Sequence, residues 1–132
     1  MSMPTATTTR ATPATSSLAA SSKFRTFAMT FAISGCVVYV LCMMFNWPLF
    51  TYHPAVNRIG FWWEAARSGE GPAMYWYGWT ATTVIASAVI GFLATLLPES
   101  AAKKIPLILV WLLPILTIPY MVYDLRQWWL HP

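Results

Sequence analysis

His53, in the triplet Tyr52-His53-Pro54, is the best single ligand candidate in the chain. With His131 and the thioethers of Met44, Met74 and Met121 it could build a site for copper or for one face of a haem. Imidazole and thioether are donors that such metals accept. The competing reading is a histidine at a membrane boundary, bonded to backbone or to a lipid headgroup. Neither histidine lies inside an apolar window, which argues against a bis-histidine haem held within a bundle. Trp62, Trp63, Trp76 and Trp79 offer flat faces to a quinone or pigment, but aromatic rings alone do not specify one. The expectation is therefore no cofactor. Haem, copper or quinone contact is the alternative, with His53, Met74 and His131 as metal candidates and the four tryptophans as cofactor contacts.

Other chemistry is scarce. Cys36 and Cys42 are six residues apart, roughly 240° around a helix, so they share no face and read as apolar packing residues. No CxxC pair, phosphate-binding loop, HExxH motif or Gly-x-Ser-x-Gly elbow occurs. The apolar windows hold no ionisable Asp, Glu, Lys or Arg, which argues against a small proton-coupled exporter. Asp124 stands just beyond the last window, spaced to pair with Arg126.

The elements that must position these residues follow from hydropathy. The chain has 132 residues, is 58% hydrophobic and carries eight basic and four acidic side chains. Its mean hydropathy is +0.55. So few charges would scarcely cover the surface of a soluble domain, where about a quarter of residues are charged. Three windows are free of formal charge: 27–47, 75–97 and 105–123. As helices they would be roughly 29 to 35 Å long, matching a hydrocarbon core of about 30 Å. The expected fold is thus an all-α integral membrane protein with three transmembrane helices. Residues 1–26 hold 12 Ser or Thr, three basic and no acidic residues, and read as a disordered tail, with an organellar transit peptide as the alternative. Ile33-Ser34-Gly35-Cys36 fits a lipoprotein cleavage pattern, but the run stays apolar beyond the cysteine, as a spanning helix would.

Lys and Arg divide five against three between the two sides. Arg10, Lys23, Arg25, Lys103 and Lys104 lie with the tail and short loop; Arg58, Arg67 and Arg126 lie with the first loop and C-terminal end. The positive-inside rule then places the N-terminus in the cytoplasm and the C-terminus in the periplasm of a bacterial inner membrane, an organellar inner membrane being the alternative. The whole net charge of +4 falls on the inner side, as an orientation signal rather than a nucleic-acid site. Trp47, Trp62, Trp63, Trp76, Trp79, Trp128 and Trp129 gather at the outer boundary and leave Trp111 alone in the inner half. An aromatic belt would populate both interfaces, so this asymmetry points to a specialised outer surface.

Within the first loop, Ile59, Trp62, Trp63 and Ala66 follow i, i+3, i+4, i+7. Asn57 stands as a cap, and Glu64 and Arg67 are spaced for an ion pair. The spacing predicts an interfacial amphipathic helix over 57–68, which could equally cover a partner's apolar flank. Span two carries two rows of small residues: Thr83, Ser87, Gly91 and Thr95, and Gly78, Thr82, Ala86 and Ala94. Small residues four apart allow close helix approach, so span two is expected to be the central contact helix. Pro114 and Pro119 should each remove a backbone bond from span three. The segment Pro72-Ala73-Met74-Tyr75-Trp76-Tyr77-Gly78-Trp79 is distinctive but carries no function by itself.

Taken together, these features favour a non-catalytic accessory or assembly subunit of a larger membrane complex, respiratory, photosynthetic or metal-oxygenase in type. Its partners would be membrane lipids and larger membrane-protein subunits, with no nucleic acid. A redox or cofactor-binding membrane protein using His53 and the outer aromatics is the second reading, and a small transporter or channel the third.

Overall fold

The computed structural model describes residues 21–130, with side chains for residues 21–126. Helix α1 spans Ser22–Phe45, strand β1 Phe50–His53 and strand β2 Arg58–Phe61, with a single 3-10 turn at Pro54–Val56 between the strands. Helix α2 spans Trp76–Ala94, the single-turn α3 spans Glu99–Ala102, and α4 spans Ile108–Leu130. Helices α1, α2 and α4 are each long and apolar enough to cross a membrane, which makes this a helical membrane protein.

Each helix ends for a local reason. Asn46 adopts the left-handed conformation (φ 50°) and donates its backbone N–H to the Cys42 carbonyl, and Pro48 follows, so α1 stops two residues short of the expected 47. At its other end α1 takes in Ser22–Thr26, residues expected in the disordered tail; the rest of that tail, up to residue 20, lies outside the described residues. Helix α2 stops at Ala94, where the Thr95 hydroxyl donates to the Phe92 carbonyl (2.6 Å) and Pro98 forces the chain out. Helix α4 runs past the expected end at Tyr123 with Pro114 and Pro119 inside it. Arg126 turns onto Tyr123, its guanidinium carbon 3.8 Å from the ring centre and Nη2 3.0 Å from the hydroxyl, rather than pairing with Asp124.

Helix α1, rather than α2, makes the more extensive contacts with both of the other long helices. It packs mainly against α2 and less extensively against α4. On α2 the contact is made by small residues: Thr83, Ser87 and Gly91 are buried, and a Cβ on Gly91 would lie 3.0 Å from the Phe27 ring. Gly35 of α1 makes the reciprocal approach, 3.7 Å from the Ser87 hydroxyl by the same measure.

The expected interfacial helix over 57–68 does not form. Residues 50–61 instead make an antiparallel hairpin in the register Phe50–Phe61, Thr51–Gly60, Tyr52–Ile59 and His53–Arg58. Pro54 opens the turn and Asn57, left-handed at φ 48°, closes it by donating its N–H to the Pro54 carbonyl. Asn57, expected to start a helix, therefore ends a turn. On its other edge Tyr52 exchanges both backbone bonds with Met74, at 3.1 and 2.8 Å. This makes β1 the middle of a three-membered ladder with β2 on its outside edge.

Candidate functional site

The hairpin is fixed to the start of α2 by close backbone contact. Leu49 donates its N–H to the Gly78 carbonyl (3.1 Å). Gly78 has no room for a side chain, because a Cβ there would fall onto the Phe50 carbonyl oxygen. Thr82, one turn on, donates its hydroxyl to the Trp47 carbonyl (3.1 Å). Gly78 and Thr82, expected to face a neighbouring helix, thus serve the loop. Ala86 is half-buried, Ala94 buried, and Thr95 takes part in the turn that ends α2.

A charge cluster holds the hairpin from the other side. Glu70 is 8% exposed and accepts three hydrogen bonds. Two come from Arg58, Nε to Oε1 at 2.8 Å and Nη2 to Oε2 at 2.7 Å, and one from the backbone N–H of Arg67 at 2.8 Å. Arg58 also donates to Glu64 (2.9 Å), which accepts from Arg67 (3.1 Å). The Glu64–Arg67 pair expected from helical spacing is thus present, but in a loop. The Arg58 hydrogen bonds, joined by the Arg67 N–H, outweigh burial and hold the Glu70 carboxyl down at about 2. The same bond to Glu70 pushes the Arg58 guanidinium further up.

His53 lies against this cluster, fully buried, with Nδ1 3.6 Å from Glu70 Oε2 and neither ring nitrogen hydrogen-bonded among the described residues. Met74 is placed beside β1 through its backbone. His131 lies outside the described residues. Among the described residues no three His, Cys, Asp or Glu side chains are grouped to hold a metal ion. His53 is thus enclosed in the hairpin rather than presented on the outer surface.

The outer tryptophans with described side chains divide into two groups. Trp47, Trp62 and Trp63, with Pro48, Leu49 and Thr82, line an apolar cleft of about 420 Å³ between the hairpin and α2. Trp62 is held in the left-handed region (φ 60°), a conformation that costs a bulky residue on the order of 1–3 kcal/mol. The Thr51 hydroxyl donating to its carbonyl (2.6 Å) and its own N–H donating to Leu49 (3.2 Å) keep it there. Trp63 meets Trp62 edge-on, with ring centres 5.3 Å apart. Trp76 and Trp79 belong to the first turn of α2: Trp76 stacks on Tyr77, and Trp79 donates its indole N–H to Asn46 (3.2 Å). The side chains of Trp128 and Trp129 lie outside the described residues.

Helical spacing concealed the free edge of β2. Tyr52 turns both backbone groups toward Met74, so its partner Ile59 must turn its own outward, and Phe61 does the same two residues on. Ile59 and Phe61 are 68% and 76% exposed. Phe50-Thr51-Tyr52-His53, then Pro54 to Asn57, then Arg58-Ile59-Gly60-Phe61, was the available signal: two short aromatic and β-branched runs around a turn. No protein-family model, curated protein or solved structure matches this chain.

Proposed function

We propose that the protein is a non-catalytic accessory or assembly subunit of a larger membrane complex, and that it docks through the outer hairpin. The observation that carries this reading is the open edge of β2. An edge on which exposed Ile59 and Phe61 carry N–H and C=O groups with no partner among the described residues is a template for another polypeptide. Lipid tails offer no hydrogen bonds to such groups, so a protein strand or loop fits the edge better than a bilayer does. The adjoining Trp47–Trp62–Trp63 cleft supplies the aromatic anchors that interfaces favour. The Arg58–Glu70 lock supports the reading further, since a preordered edge loses less entropy on docking. The site lies on the periplasmic face in the orientation favoured by the basic residues, with the N-terminus in the cytoplasm of a bacterial inner membrane.

The protein is expected to co-purify with larger subunits after mild detergent extraction, and Phe61→Asp is expected to release them while the hairpin stays folded. Recovery of the wild type only as a monomer or homo-oligomer, across several gentle detergents, would remove the reading. A cofactor-binding role draws its support from His53, whose ring nitrogens are buried and, among the described residues, without a hydrogen-bond partner. That reading requires a metal or visible chromophore in purified protein, lost in His53→Ala.

A further inference from the structure

The opposite end of the molecule holds a second, chemically different cleft. It has a volume of about 430 Å³ and lies where the start of α1 meets the connection between α3 and α4. Arg25, Lys103 and Lys104 line it, with Met29, Ile105 and Leu107 as apolar lining; no carboxylate does so. Among the described residues, none of the three cations is in an ion pair.

We infer that this cleft is a binding site for the phosphate of an anionic phospholipid, with the acyl chains descending along the apolar lining. An orientation signal needs only that basic residues lie on one side of the membrane. It does not need Arg25 and the Lys103–Lys104 pair, nearly eighty positions apart in sequence, to converge on one concave surface. Their convergence gives a charge complement to phosphate: Arg supplies a planar fork and the two Lys supply point charges. The apolar part of the lining separates a lipid from a free anion, since inorganic phosphate gains nothing from Met29 or Leu107. Basic recesses between helices at the cytoplasmic side are suited to anionic headgroups for these reasons. The site is independent of the outer hairpin and of any partner that docks there.

The test uses the full-length protein in neutral detergent, offered equal amounts of phosphatidylglycerol and phosphatidylcholine, with retained lipid read by native mass spectrometry. The wild type is expected to prefer phosphatidylglycerol by on the order of tenfold or more. The triple variant R25Q/K103Q/K104Q should lose that preference, whereas R126Q, which removes a basic residue at the other end, should keep it. A102W, or A102L if the larger side chain disturbs folding by circular dichroism, fills the cleft and leaves every charge. It should reduce retention as the triple variant does. Full retention in the filled variant would show that the cations act from an open surface and would overturn the site. Equal loss in R126Q would overturn it as well. Displacement of the lipid by excess inorganic phosphate, with equal thermal protection by phosphate alone, would overturn the lipid assignment in favour of a free anion.

Discussion

Glu70 is where the outer loop is most exposed to change. It takes both arms of the Arg58 fork and the Arg67 backbone N–H, and these contacts bring its carboxyl from an ordinary 4.5 to about 2. A carboxylate depressed in the folded state adds stability that is fully present above its unfolded value and is lost as pH falls through its folded value. The hairpin should therefore hold above roughly pH 4.5 and loosen progressively as pH drops toward about 2. Emission from Trp62 and Trp63, which lie in the same loop, reports this directly. Glu70→Gln removes the charge but keeps the shape, so it should loosen the loop at neutral pH and flatten the acid dependence between those limits. An unchanged acid profile in Glu70→Gln would assign the loosening to another group. His53, with Nδ1 3.6 Å from the same carboxylate, is enclosed by the lock.

At the scale of elements, the hairpin stays where it is because Gly78, in the first turn of α2, has no side chain. Gly78 lets the Phe50 carbonyl approach the helix, and a methyl group there would overlap it. Gly78→Ala should cost roughly 1–3 kcal/mol by overpacking, read as a lower unfolding temperature in detergent, and should detach the Trp47–Trp62–Trp63 cleft. Gly91→Ala should be milder, because a Cβ there would lie 3.0 Å from the Phe27 ring, which can shift, and 3.2 Å from the Phe27 carbonyl oxygen, whereas at Gly78 it would overlap the Phe50 carbonyl outright. The order of these two effects is the check. The three long helices were legible in the sequence because twenty apolar residues in a row have few other fates. The hairpin was not. Ile59, Trp62, Trp63 and Ala66 match a helical period by number while Asn57 and Trp62 are both left-handed, which no helix allows. The small residues of span two were legible as a class but not in their duties: Thr83, Ser87 and Gly91 face α1, whereas Gly78 and Thr82 hold the loop.

Across the whole molecule the two ends are built from opposite chemistry. One end carries Arg25, Lys103 and Lys104 around a concave surface, and the other carries a charge-balanced lock beneath exposed aromatic rings. Helix α1 joins them, with α2 and α4 packed on it. The proposed orientation, read from the unequal distribution of Lys and Arg, puts the basic end in the cytoplasm, and two cysteine substitutions test it. Ser68 is exposed beside the lock and Lys103 is exposed at the basic end, while the native Cys36 and Cys42 both lie within α1. A membrane-impermeant maleimide applied to intact cells should label Ser68→Cys and leave Lys103→Cys unmodified until the membrane is opened. The reverse pattern would invert the molecule and put the hairpin, with its open edge and aromatic cleft, in the cytoplasm. It would also move the search for its docking partner to that side, and the lipid cleft would then have to draw its anionic headgroup from the opposite leaflet.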